Sequence, residues 1–147
     1  MSLCRHNKYL FAVTMRLTTL LVFFIATSAC DFKQARADAE RLASRVHRQI
    51  KAGDYKTLYN DSCAQLRKVA TEAEFVGMME NLRSDYGALL NVDQDTFILR
   101  SDINLGRMYM LSYNVEFEHK KASERLVFIS SEKGTMQLYE LIFNPME

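Results

Sequence analysis

An α+β fold, with two or three N-terminal helices packed on a four-stranded antiparallel meander, is what the hydrophobic spacing of this chain predicts. Three observations carry it. Between residues 32 and 86 apolar side chains recur three or four positions apart, the interval of a helix face. From residue 95 onward the dominant interval is two, that of a strand with one buried side. Short polar segments join the strand-like runs, so successive strands pair antiparallel rather than through long crossovers.

The elements follow in order. Phe32, Ala35, Ala39, Leu42, Val46 and Ile50 mark one face of a first helix, which Gly53 stops in the stretch AGDY. Asp54 is placed to cap a short second helix running through Leu58 and Tyr59 to about Ser62. Thr71 and Glu74 have the spacing of a capping box, and Phe75, Met78, Met79, Leu82 and Tyr86 give the helix behind it an apolar face ending at Gly87. A strand is expected over residues 95–100, around Phe97, Ile98 and Leu99. In the next, Tyr109, Leu111, Tyr113, Val115 and Phe117 alternate with Met108, Met110, Ser112, Asn114 and Glu116. Residues 119–122 read as a turn, and Ser123–Ser130 as a strand through Leu126, Val127, Phe128 and Ile129. Glu132-Lys133-Gly134 makes the last turn before a strand over Thr135–Phe143, with Pro145 close behind. The helices must cover the apolar face of this sheet.

The chain starts differently. Residues 1–30 contain Arg5, Lys8 and Arg16 and no acid. Their apolar stretch, Leu17 to Ala29, falls short of the roughly 20 residues a membrane span needs. A basic start, a short apolar run and small residues at its end are the parts of a secretory signal, and Met15-Arg16-Leu17 would open a compact signal by itself. All 18 acids lie beyond residue 30, against 16 Lys and Arg, so the exported part is slightly acidic. That balance attracts no nucleic acid, and no nucleic-acid-binding motif is present.

Of the three cysteines, export removes Cys4 and leaves Cys30 and Cys63. A Cys30–Cys63 disulfide would close a long loop, worth roughly 3–4 kcal/mol by chain entropy. Thr27-Ser28-Ala29-Cys30 instead resembles the lipobox of bacterial lipoproteins. That resemblance implies a diacylglyceryl group on the Cys30 thiol and cleavage before it, leaving Cys63 an unpaired thiol among Leu58, Ala64, Leu66 and Val69, with the role of a small buried hydrophobe. Asp31, by resemblance to Gram-negative lipoprotein sorting, implies retention at the periplasmic face of the inner membrane. The expected organisation is a signal peptide at 1–29, a lipidated tether at 30–34 and one domain at 35–147.

The helix carrying Ala39, Leu42 and Val46 and ending in AGDY, then TEAEFVGMMENLRSDYGAL, then paired strands with a charged-glycine turn before the last, resembles the cystatin-like or NTF2-like superfamily. More narrowly it is similar to small bacterial DUF4019-like domains of unknown function. The resemblance covers nearly all of residues 35–143 and implies that the sheet curves around the long helix as a cone.

The search for chemistry yields little. His47 and His119 lack neighbours at metal-ligand spacing and read as surface histidines. Glu116 and Glu140 read as solvated sheet positions. The five glycines form no phosphate-binding loop. Some NTF2-like enzymes use an interior Asp/His pair, but no such pair can be placed on this sequence, so no catalytic residue, metal or cofactor is expected. Two surfaces stand out. Lys33, Arg36, Arg41, Arg45 and Arg48 stripe the first helix, either as a solvated face or as a seat for phospholipid or an acidic partner. Tyr109, Tyr113, Phe128, Tyr139 and Met78 either fill the cone or, if it is hollow, line a pocket for an apolar ligand. The expectation is a non-enzymatic envelope domain, bound to the bilayer through its acylated N-terminus and acting through an unknown envelope protein, with a ligand- or lipid-binding module as the rival and an enzyme third.

Overall fold

A computed structural model describes residues 32–130 and 134–146. The expected signal segment, Cys30, Asp31 and the tip of the Glu132-Lys133 turn lie outside the described residues. The chain divides into two units, Met1–Ala35 and Arg36–Glu147. Of the first, residues 32–35 are described and are helical, with Lys33 exposed.

The second unit begins with helix α1, residues 36–52. Gly53, at φ 71°, ends it in the left-handed conformation that glycine adopts without a side-chain penalty. Asp54 then caps α2 (Tyr55–Asp61), its carboxylate accepting from the Thr57 N–H at 3.3 Å. A further helix, α3 (Ala64–Val69), was not among those the spacing predicts. It is one and a half turns long, too short to show a periodic face, and Cys63 caps it through a weak acceptor, Sγ, 3.5 Å from the Leu66 N–H. The capping box at Thr71 and Glu74 is formed and opens α4 (Glu72–Tyr86). The bonds from the Thr71 backbone, then from its hydroxyl, hold the Glu74 carboxyl below the ordinary carboxylate value.

The strands are β1 (Leu89–Asp102), β2 (Gly106–Phe117), β3 (Lys121–Ser130) and β4 (Met136–Pro145). They form one open antiparallel sheet in sequence order. β1 starts six residues earlier than alternation suggests. The reason lies in its register: Leu90 and Asp95 are each an extra residue against β2, and two bulges break the period-two pattern. Tyr139 is the extra residue between β3 and β4.

The sheet face turned toward α1 carries most of the core, and Val127 and Ile129, on the alternate side of β3, are buried too. Tyr109, Leu111, Tyr113, Val115 and Phe117 are all buried, as their alternation predicts, against Ala39, Ala43, Val46 and Ile50 of α1. α2 packs on α4 and α3 on β4, where the Cys63 N–H donates to the Leu138 carbonyl at 2.8 Å. Burying a side chain such as Leu58, Phe75 or Met79 contributes about 1.5–3 kcal/mol each. The face of α1 is rotated from the predicted one: Ala43 and His47 point inward while Leu42 is only half-buried. Alanines at 39 and 43 let the helix backbone approach the sheet closely, which turns its fourth-residue row toward the core.

Candidate functional site

The most unusual feature of the core is a buried pairing of a histidine with a carboxyl group. On β3, Ala122, Glu124, Leu126 and Phe128 all point to the buried face, paired with Val115, Tyr113, Leu111 and Tyr109 of β2. Glu124 therefore stands between Tyr113 and, on β4, Phe143. It is 1% exposed. Facing it across the helix–sheet interface is His47, 8% exposed, whose Nε2 lies 2.5 Å from Glu124 Oε2. Nε2 shares this hydrogen bond with Oε2, which leaves Nδ1 as the second ring nitrogen. Nδ1 makes no hydrogen bond among the described residues. The Tyr113 ring meets the imidazole edge-on at 4.8 Å and 88°. Burial, then the Glu124 and Glu40 charges, push the Tyr113 phenol well above its ordinary value. Glu124 Oε1 is buried with no hydrogen-bond partner among the described residues.

His47 is thus not the surface histidine that its spacing suggests. Its partner lies 77 positions away, so no local pattern could join the two. One signal existed for Glu124: the alternation through Ala122, Leu126 and Phe128 puts it on the apolar face, and only a paired carboxylate is tolerated there.

His47 forms part of the wall of a cleft of about 460 Å³ between α1 and the bulged half of β1. α1 contributes Glu40, Ser44, His47, Arg48 and Lys51, β1 contributes Asn91, Val92 and Gln94, and Tyr113 closes the floor. The bulges at Leu90 and Asp95 bracket this stretch of β1. Lys51 Nζ reaches the bulge and donates to the Leu90 carbonyl at 3.0 Å, supplying a bond the distorted ladder does not. Glu40 is occupied by Arg36 at 2.8 Å and receives a long bond from Gln94 at 3.5 Å. Most of the lining residues are polar, and Val92, the Tyr113 ring and side-chain stems add apolar surface.

The residues singled out from sequence fall in different places. Tyr109 and Phe128 are buried in the sheet core, Met78 is exposed on α4, Tyr139 is half-buried at the β4 bulge, and Tyr113 alone of that set lines the cleft. The basic stripe of α1 divides: Arg36 pairs with Glu40, Arg41 with Asp38 at 3.0 Å, and Arg45 with Asp61 at 2.9 Å, whereas Arg48 lines the cleft. Glu116 and Glu140 are partly exposed and face Lys121 and Arg125 at 3.3 and 3.4 Å. Cys63 is a buried free thiol. It borders a second cleft of about 560 Å³ with Gln65, Arg107 and Gln137. Among the described residues no three His, Cys, Asp or Glu side chains converge as a metal site requires.

No protein-family model matches the chain, and comparison with the curated proteins finds no match.

Proposed function

We propose that this chain is a lipid-anchored domain of the bacterial envelope, of the cystatin-like or NTF2-like class, whose cleft beside His47 binds a small polar molecule. The anchor reading rests on the basic, apolar and small-residue order that ends at Cys30, with Asp31 holding the protein at the periplasmic face of the inner membrane. The class reading rests on helices preceding an open antiparallel sheet whose bulges bend its strands.

The ligand reading is carried by one observation, the buried His47–Glu124 pair at the wall of a polar cleft. Well-packed apolar residues would stabilise this interface as well or better. Keeping an ionisable pair there is useful where the imidazole meets a bound molecule. A volume of about 460 Å³ suits a small ligand, and the lining suits a polar one in place of the apolar ligand that the aromatic residues suggest.

The test is thermal unfolding of the full chain against a panel of small polar compounds. A ligand at about one hundred times its Kd adds about 2.7 kcal/mol to stability. His47→Gln keeps a donor to Glu124 and presents an amide where the imidazole stood, so it should fold normally and lose most of that gain. Compounds that stabilise both forms equally, or no saturable stabilisation by any compound, would reject the reading.

A second reading has its own observation. Ile98 and Leu99 near the end of edge strand β1, and Ile103 at its hairpin tip, are exposed. An edge that no strand among the described residues pairs, with apolar side chains beside it, suits strand addition by another envelope protein.

A further inference from the structure

We infer that the molecule taken by the cleft carries an oxyanion, a carboxylate or a phosphate, held by Arg48 and Lys51. This deepens the ligand reading above and rests on it. The charges around the cleft do not cancel locally. Its carboxylate, Glu40, is paired with Arg36, which stands outside the lining. The Glu124 carboxylate is committed to His47 behind the wall. What remains toward the open volume is cationic. Arg48 has no ion-pair or hydrogen-bond partner among the described residues, and Lys51 spends one donor on the Leu90 carbonyl and keeps two.

Of these two cations the ammonium is also placed in advance. They lie three residues apart on α1, on one side of the helix. The bulge carbonyl of Leu90 fixes the Lys51 ammonium at one end of the cleft. A guanidinium beside a pinned ammonium offers the charge-assisted, multi-donor contact that carboxylate and phosphate oxygens accept best. The Asn91 and Gln94 amides face them from β1 and can meet the polar body of the molecule. Other basic residues of α1 are spent on partners: Arg36, Arg41 and Arg45 all hold carboxylates. Of the α1 stripe within the second unit, Arg48 at the cleft is the arginine with no ion pair among the described residues.

The experiment follows amide shifts of the full-length chain by NMR in a neutral maltoside detergent. Inorganic phosphate, acetate and micelles doped with phosphatidylglycerol are added in separate arms, with sodium chloride at matched ionic strength as reference. Saturable shifts of the Asn91 and Gln94 amides are expected in at least one arm and not with chloride. The responding arm names the source: a phosphate group free in solution, a carboxylate, or a lipid headgroup. Arg48→Gln, at an exposed helix position, should weaken that binding about tenfold, since a hydrogen bond to a charged group is worth roughly a factor of ten or more. Shifts that chloride reproduces, or binding unchanged in both Arg48→Gln and Lys51→Gln, would overturn the assignment. If neutral polar compounds stabilise the protein through His47 while no oxyanion moves these amides, the ligand reading stands and the oxyanion is wrong.

Discussion

At the scale of single residues, the His47–Glu124 pair sets how the core responds to change. Neither group can be truncated alone without consequence, because that leaves the other polar, buried and unpaired; Glu124 Oε1 already lacks a partner among the described residues. Tyr113 reports the same local field. Its phenol is raised first by burial and then by two carboxylates, so the folded protein resists its ionisation while the unfolded chain does not. The sign follows: the contribution is fully present below the unfolded tyrosine value, about 10, and is lost as pH rises above it. Thermal unfolding should therefore show a midpoint that falls above about pH 10, and Tyr113→Phe should flatten that fall. A variant whose alkaline profile matches the parent would show that other groups govern it.

At the scale of elements, the boundaries are chemical. The Thr71–Glu74 box starts α4 and Gly87, at φ 83°, ends it. Gly87 does more than turn the chain, for a Cβ there would lie 2.6 Å from the Glu118 Cβ and 2.8 Å from its Oε2. That carboxylate accepts from the Ala88 N–H at 2.9 Å, tying the end of α4 to the β2–β3 turn. Gly87→Ala combines an unfavourable backbone conformation with a steric clash and should cost more than about 1 kcal/mol, read by urea denaturation. A neutral outcome would mean that the Glu118 contact yields freely. The same scale explains which elements sequence reading locates. α4 carries both caps and four turns of spacing, while α3 carries neither length nor a strong cap. β2 alternates cleanly, while β1 is broken twice by bulges whose extra residues, Leu90 and Asp95, look like any others in the chain.

At the scale of the whole molecule, the cleft exists because a bulged edge strand turns against a helix set close to the sheet by Ala39 and Ala43. The proposed tether and the edge strand bear on the proposed protein partner. With a photo-crosslinker at Ile98 in native membranes, the wild-type chain should capture a discrete envelope protein. Cys30→Ser should lose acyl labelling, membrane retention and that crosslink together. Labelling that persists in the variant would reject Cys30 as the lipid site, and retention without any crosslink would reject the β1 edge as the contact.

The sequence by itself determined the α+β class, the helix caps at Asp54 and Thr71, the stops at Gly53 and Gly87, and the buried face of β2. Each is encoded within a few residues by spacing or by one side chain's hydrogen bond to nearby backbone. Only the tertiary structure decided the rotation of α1, the length of β1, and the meeting of His47 with Glu124 beneath Arg48 and Lys51. Those depend on which helix face fits the sheet most closely and on which residues the strand register sets opposite each other. Both are outcomes of packing the entire chain, and a local pattern does not carry them.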